Sequence, residues 1–160
     1  MMKFSKALSS MMIGTLIIPF SALVMSFGNQ VGGESILGLH PIAFMMIIGI
    51  AMQALAECFI SPRFLEYFSL QSPKGEEGLY LGFSHLHSFF SYLFAFGLSG
   101  FLLEKYCPDP KLFTSQAEYA AATANAHYIW YVFVGVGLIS TIALVIYNMT
   151  VKRLDLKKEQ

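Results

Sequence analysis

The chain has 160 residues, is 56% hydrophobic, only 12% charged, and carries no net charge. Soluble domains carry about 25% charged residues, so half that share points to a membrane, and a neutral chain gives no reason to expect nucleic acid as a partner. Its two cysteines, Cys58 in an apolar segment and Cys107 in a loop, fall at opposite membrane sides and lack partners at metal spacing, so neither a disulfide framework nor a cysteine metal site is expected.

Four stretches can cross a bilayer, each needing roughly 20 apolar residues. The first, Ala7 to Phe27, holds no Asp, Glu, Lys or Arg. Lys3 and Lys6 precede it, so a cleaved secretory signal competes with a retained helix; the length of the run and the lack of a small-x-small cleavage site favour the helix. A glycine-containing loop, Gly28 to His40, leads to the second span, Pro41 to Pro62, whose one charge is Glu57. Pro19 and Pro62 are expected to kink or interrupt their helices. A loop from Arg63 to Glu77 precedes the third span, Gly78 to Leu103, which is free of charge.

The next loop, Glu104 to Ala126, holds Pro108 and Pro110 and then an alanine-rich piece, Gln116 to Ala126, that reads as a short interfacial helix. Tyr128, Trp130 and Tyr131 open the fourth span, His127 to Thr150, where an aromatic belt belongs. The tail, Lys152 to Gln160, is a basic anchor. Asn148-Met-Thr150 matches a glycosylation sequon, but at a cytoplasmic edge where no glycan is added. Met1-Met2-Lys3 reads as a natural start and Lys157 to Gln160 as a natural end.

Lys3, Lys6, Arg63, Lys74, Lys152, Arg153, Lys157 and Lys158 lie on one side of these spans, and only Lys105 and Lys111 on the other. That bias places both termini in the cytoplasm. The expected architecture is an all-α membrane protein, one domain over residues 1–160, with four transmembrane helices and no β-sheet core.

A carboxylate inside a hydrocarbon-length helix costs about 2.5–3.5 kcal/mol and is usually retained for a pathway or a binding site. Gly49, Gln53, Ala56, Glu57 and Ile60 share one helical face, a small and polar stripe that invites a neighbouring helix and keeps Glu57 off lipid. Such a carboxyl suits a proton carrier or an amine-binding group. The plainer reading is that Glu57 reaches water at the cytoplasmic end, with Arg63 about 9 Å further along the axis. In the third span Ser84, Ser88, Ser91, Ala95 and Ser99 form a second small stripe, joined by Gly78 and Gly82. The two stripes are expected to pack on each other. His85 and His87 flank the serine stripe on opposite edges, where they serve packing or a proton relay and cannot converge on one metal. No phosphate loop, Ser/His/Asp arrangement or Cys/His pair is present, so no enzyme activity and no cofactor are expected.

The run Ala56-Glu57-Cys58-Phe59-Ile60-Ser61-Pro62, followed by Ser72-Pro73 and by Gly78 and Gly82, resembles the proton-coupled oligopeptide transporters of the major facilitator superfamily. In that family the tenth core helix carries a glutamate followed closely by Ile-Ser-Pro, a short loop with a proline follows, and glycines open the eleventh helix. The similarity is clearest from about Gly49 to Gly100, and the four spans resemble the last four helices of that fold. The resemblance implies that Glu57 pairs with a peptide's amino group or takes part in proton coupling; Gln53, on the same helical face, is the other residue expected to bind substrate or proton. It also implies a chain incompetent alone, because transporters of this class hold substrate between two halves that rock against each other.

Two functions follow as expectations. One is the C-terminal portion of a proton-coupled peptide transporter that works with a partner half. The other is a transporter-derived accessory subunit of a larger membrane complex, without transport of its own. The expected partners are membrane lipid, other transmembrane subunits or the missing half, protons and small peptides, and the expected location is a bacterial inner or plasma membrane.

Overall fold

The computed structural model describes residues 2–31 and 35–158, and the side chains of residues 2–6, 29 and 155–158 stand outside the described set. The chain is all-helical: α1 (Met2–Ser26), α2 (Pro41–Gln71), α3 (Glu77–Ser84), α4 (Leu86–Tyr106), α5 (Gln116–Thr123) and α6 (Tyr128–Lys158). Among the described residues there is no strand, only an isolated antiparallel bridge between Ile36 and Leu39. Four helical stretches, Ala7–Ser26, Pro41–Gln71, Glu77–Leu112 and Gln116–Leu154, are long and apolar enough to cross a membrane. The terminal cations Lys3, Lys6, Lys157 and Lys158, on which the sidedness expectation partly rests, are among the side chains outside the described set, and Glu159 and Gln160 lie outside it altogether.

The local signals that set these boundaries are visible in the sequence. Pro41 at the first turn of α2 has no amide to leave unsatisfied, and the His40 imidazole accepts from the Ile42 amide at 3.4 Å. Ser72-Pro73 stops α2, because the residue before a proline is driven into extended backbone, as Ser72 is with ψ 143°. Gly75, with φ +91°, then makes a turn that a side chain would strain. Ser115 caps α5 by accepting from the Glu118 amide at 3.2 Å, which places the expected interfacial helix at Gln116–Thr123.

Two expectations about boundaries are corrected. Pro62 does not end the second span: α2 runs through it to Gln71, so the connection shrinks from Arg63–Glu77 to the residues after Gln71. Pro62 and Cys58, whose carbonyl the proline leaves without its helical amide, are both on the exposed side of α2, where the loss disturbs no packing. The third span is not one helix either. It breaks at His85, where bonds tighten to three-residue spacing, His85 amide to Gly82 carbonyl at 3.2 Å and Ser88 amide to His85 carbonyl at 3.0 Å.

The core is built around α1. Of its span 39% is buried within the chain, against 11% for α2 and 6% for each of the other two, so α1 is the central helix and the rest are outer ones. Ala7, Leu8, Met11, Gly14, Ser21, Ala22 and Met25 recur at helical spacing and are all buried. On one flank α2 comes so close that a Cβ on Gly14 would sit 2.8 Å from the Ala56 carbonyl oxygen, and one on Gly49 would sit 3.1 Å from that of Ser21. On the other flank α6 approaches Pro19 at Gly137, where a Cβ would meet the proline ring at 3.1 Å. Small residues permit such backbone approach, and in lipid this packing replaces the hydrophobic drive.

The expected packing of the second span on the third is therefore corrected. Gly49 and Ala56 face α1, not the serines of α4, and nothing lies within 4 Å of where a Cβ would stand on Gly78 or Gly82. The α3 segment touches α2, and α4 touches α6, but α4 lies alongside α2 without close packing. One end of α4 is held where the His87 ring lies 4.8 Å from Phe64, and the other where Leu102 is buried and Tyr106 meets Tyr128 at 6.0 Å. Between these anchors α4 stands away from α2.

Candidate functional site

The gap left between α2 and α4 is the site. Its groove, about 460 Å³, is lined from α2 by Glu57, Ile60, Ser61, Phe64 and Leu65, and from the α3–α4 side by His85, His87, Ser88, Ser91 and Tyr92. The carboxylate, the two imidazoles and two of the stripe serines that stand out in the sequence thus converge on one cavity. Glu57 is exposed on it instead of being enclosed between packed helices. The break at His85 brings both histidines to the same groove, against the expectation that one continuous helix would hold them on opposite edges.

Gln53 does not join Glu57. It lines a separate apolar cavity of about 280 Å³ between α1 and α6, with Thr15, Ile18, Trp130 and Gly137. Gly49 and Ala56 are packing residues on α1. Ser84 is buried and donates its hydroxyl to its own helix at the Leu81 carbonyl, 2.7 Å away. Of the stripe, then, only Ser88 and Ser91 line the Glu57 groove.

The groove's chemistry is that of a single carboxylate among neutral donors. Lys and Arg are missing from its lining, so nothing within it competes with a bound ammonium group for Glu57. The nearest basic side chain on α2, Arg63, is paired with Glu66 at 2.5 Å. Among the described residues no group of three or more His, Cys, Asp and Glu side chains is placed to hold a metal ion.

His87 is the most constrained of the groove residues. Its Nδ1 bonds to the Ser84 carbonyl oxygen, the Ser88 hydroxyl lies 3.5 Å from its Nε2, and its ring is tilted 48° on Phe64. A carbonyl oxygen only accepts, so the neutral ring carries its proton on Nδ1 and leaves Nε2 as the acceptor facing the Ser88 hydroxyl. The α3–α4 break supplies this arrangement by placing Ser84 and Ser88 on either side of the turn.

Three features have no counterpart in the sequence reading. Tyr67 on α2 and Tyr147 on α6 join by their hydroxyls at 2.5 Å, linking the two helices that pack on α1. Asn148 is buried, its amide donating to the Met12 sulfur at 3.1 Å while its oxygen finds no partner. Its sequon therefore concerns a side chain in the core. Phe64 and Tyr92 wall the groove. A tyrosine or phenylalanine in an apolar span looks like any lipid-facing aromatic until its neighbour is known.

Comparison with protein-family models, with curated proteins and with solved structures finds no match to this chain.

Proposed function

We propose that this chain is the C-terminal portion of a proton-coupled transporter of the major facilitator type, carrying small peptides, and that it needs a partner half to work. Glu57 is its ionisable group, taking up and releasing protons or pairing with the amino end of a substrate. The observation that carries this reading is the convergence of Glu57, His85, His87, Ser88 and Ser91 on one groove within helices long enough to span a membrane. Charged side chains at membrane depth mark ion and substrate pathways. A groove open on one side is half of a site, as expected where two halves enclose the substrate. The membrane is a bacterial inner or plasma membrane, with both termini in the cytoplasm as the cation bias indicates.

A second reading rests on α4. Phe89, Phe94, Phe96 and Phe101 project from it uncovered, at 60–83% exposure, which also suits a recruited accessory subunit lodged against unlike membrane neighbours. Transport separates the two. Liposomes holding this chain alone should not accumulate a labelled dipeptide under an inward proton gradient. An assembly purified from native membranes should do so, and should lose uptake on Glu57→Gln, which keeps the shape and removes the ionisable group. An assembly that never transports favours the accessory subunit, and unchanged uptake in Glu57→Gln removes Glu57 from the mechanism.

A further inference from the structure

A second cavity lies beyond the Glu57 groove, toward the α2–α3 connection. It measures about 550 Å³ and is lined by Phe68, Glu76, Leu79, Tyr80, Phe83, Ser84 and His87. His87 lines both spaces. Nδ1 is bonded to the backbone carbonyl of Ser84, a residue of the outer cavity, and Nε2 lies 3.5 Å from the hydroxyl of Ser88, a residue of the groove. Phe64 backs the ring and holds its tilt. The imidazole thus borders both spaces.

We propose that His87 is the proton relay between the Glu57 groove and the water at the α2–α3 connection. The proposal rests on the reading of Glu57 as the proton-carrying group. In the neutral ring Nδ1–H donates to the Ser84 carbonyl, and the Nε2 lone pair accepts only the long contact from the Ser88 hydroxyl, at 3.5 Å. A proton released by the Glu57 carboxyl crosses the groove to Nε2 and forms an imidazolium. The imidazolium then gives its other proton, from Nδ1, to water in the outer cavity. One proton enters, one leaves, and no electrons change hands. The ring is left with its proton on Nε2, and its first tautomer is restored by exchange with water of the outer cavity, Nε2 giving up a proton and Nδ1 taking one.

The other ionisable groups around the ring are consistent with this route. Glu57 from α2, His85 from the α3–α4 junction and Tyr92 from α4 line the groove side; Glu76 and Tyr80, from the connection and α3, line the outer side. Neither cavity's lining includes Lys or Arg, so no fixed cation repels the transient imidazolium. His85 lines the groove but not the outer cavity, so it does not bridge them.

The test uses the full chain in lipid nanodiscs and does not require transport. The Glu57 carboxyl stretch, identified by subtracting the spectrum of Glu57→Gln, is followed by infrared spectroscopy after a rapid pH change. His87→Ala should slow its response by about a hundredfold, the lower end for a positioned proton-transfer group, and imidazole added to the buffer should restore it. His85→Ala should leave the rate unchanged. Nitrogen NMR of the labelled unmutated chain should show neutral His87 protonated on Nδ1. An unchanged rate in His87→Ala, a loss that imidazole does not rescue, or a proton on Nε2 in the neutral ring would each overturn the relay. A Glu57 carboxyl that never changes protonation would instead overturn the underlying reading of Glu57, so the two failures are distinct.

Discussion

Thr141 on α6 donates its hydroxyl proton to the carbonyl of Thr15 on α1, 2.9 Å away, and so reaches the acceptor that Pro19 leaves without an amide four residues on. Proline in a membrane helix frees such a carbonyl, and a hydroxyl from a neighbouring helix is one of the few groups that can satisfy it. The same hydroxyl lies 2.8 Å from the Gly137 carbonyl of its own helix, so the contact is shared.

Thr141→Val keeps the shape and removes the hydroxyl, and should destabilise the chain by about 0.6–1.7 kcal/mol, the range for interhelical hydrogen bonds in membranes. Thr141→Ser should cost less. In a Pro19→Ala background, where an amide again reaches Thr15, Thr141→Val should cost measurably less than in the unmutated chain. Unfolding in mixed micelles, read by helical circular dichroism, supplies the double-mutant cycle.

The glycines divide into two classes. A Cβ on Gly14 would come within 2.8 Å of the Ala56 carbonyl oxygen, which is backbone and cannot swing away. Gly14→Ala should therefore cost about 1–3 kcal/mol, as over-packing does. Gly82 meets nothing within 4 Å, so Gly82→Ala should be neutral or stabilise by up to about 1 kcal/mol from helix propensity alone. Thermal stability of the two variants in one detergent checks the order, and equal losses would contradict the α1–α2 interface described above.

Filling the groove should separate folding from function. Ser91 is exposed on it and packs against no other helix, so Ser91→Trp should leave stability within about 0.5 kcal/mol. It should nevertheless block uptake by an active assembly, because the ring occupies the space before Glu57. Unfolding of the purified chain and dipeptide uptake by the assembly, measured on the same variant, provide the contrast.

The hydroxyl pair Tyr67–Tyr147 ties α2 directly to α6. Tyr147→Phe should cost about 0.5–1.5 kcal/mol, the net value of one such bond. Hydrogen exchange should rise most in the turns of α2 and α6 nearest the pair.

The four spans and the short helix from Gln116 were legible from hydropathy and composition, whereas the meeting of His85 and His87 with Glu57 was not, because it depends on the helix break at His85. The partner of each face was not legible either. Gly49 and Ala56 declare a face that invites close approach, but α1, through Gly14 and Ser21, and α4, through Ser88 and Ser91, offer equally small surfaces. Periodicity fixes which residues share a face and is silent on which neighbour takes it. The passage of α2 through Pro62 was hidden for a related reason, since a proline is tolerated where its freed carbonyl faces outward, and outward is defined only by the fold. The position of Gln53 shows how fine the distinction is: one helical turn from Glu57, it opens on a different cavity.

The two-ended attachment of α4 gives the molecule one compliant part. A rod pinned at His87 and at Leu102 and unsupported between them can bow with no loss at the α1–α2–α6 contacts, because none of those contacts runs through it. Its curvature sets the width of the space before Glu57. The stiffness of a single helix, and whatever presses on its outer face from the membrane, thereby becomes the quantity that decides how much room the carboxylate has.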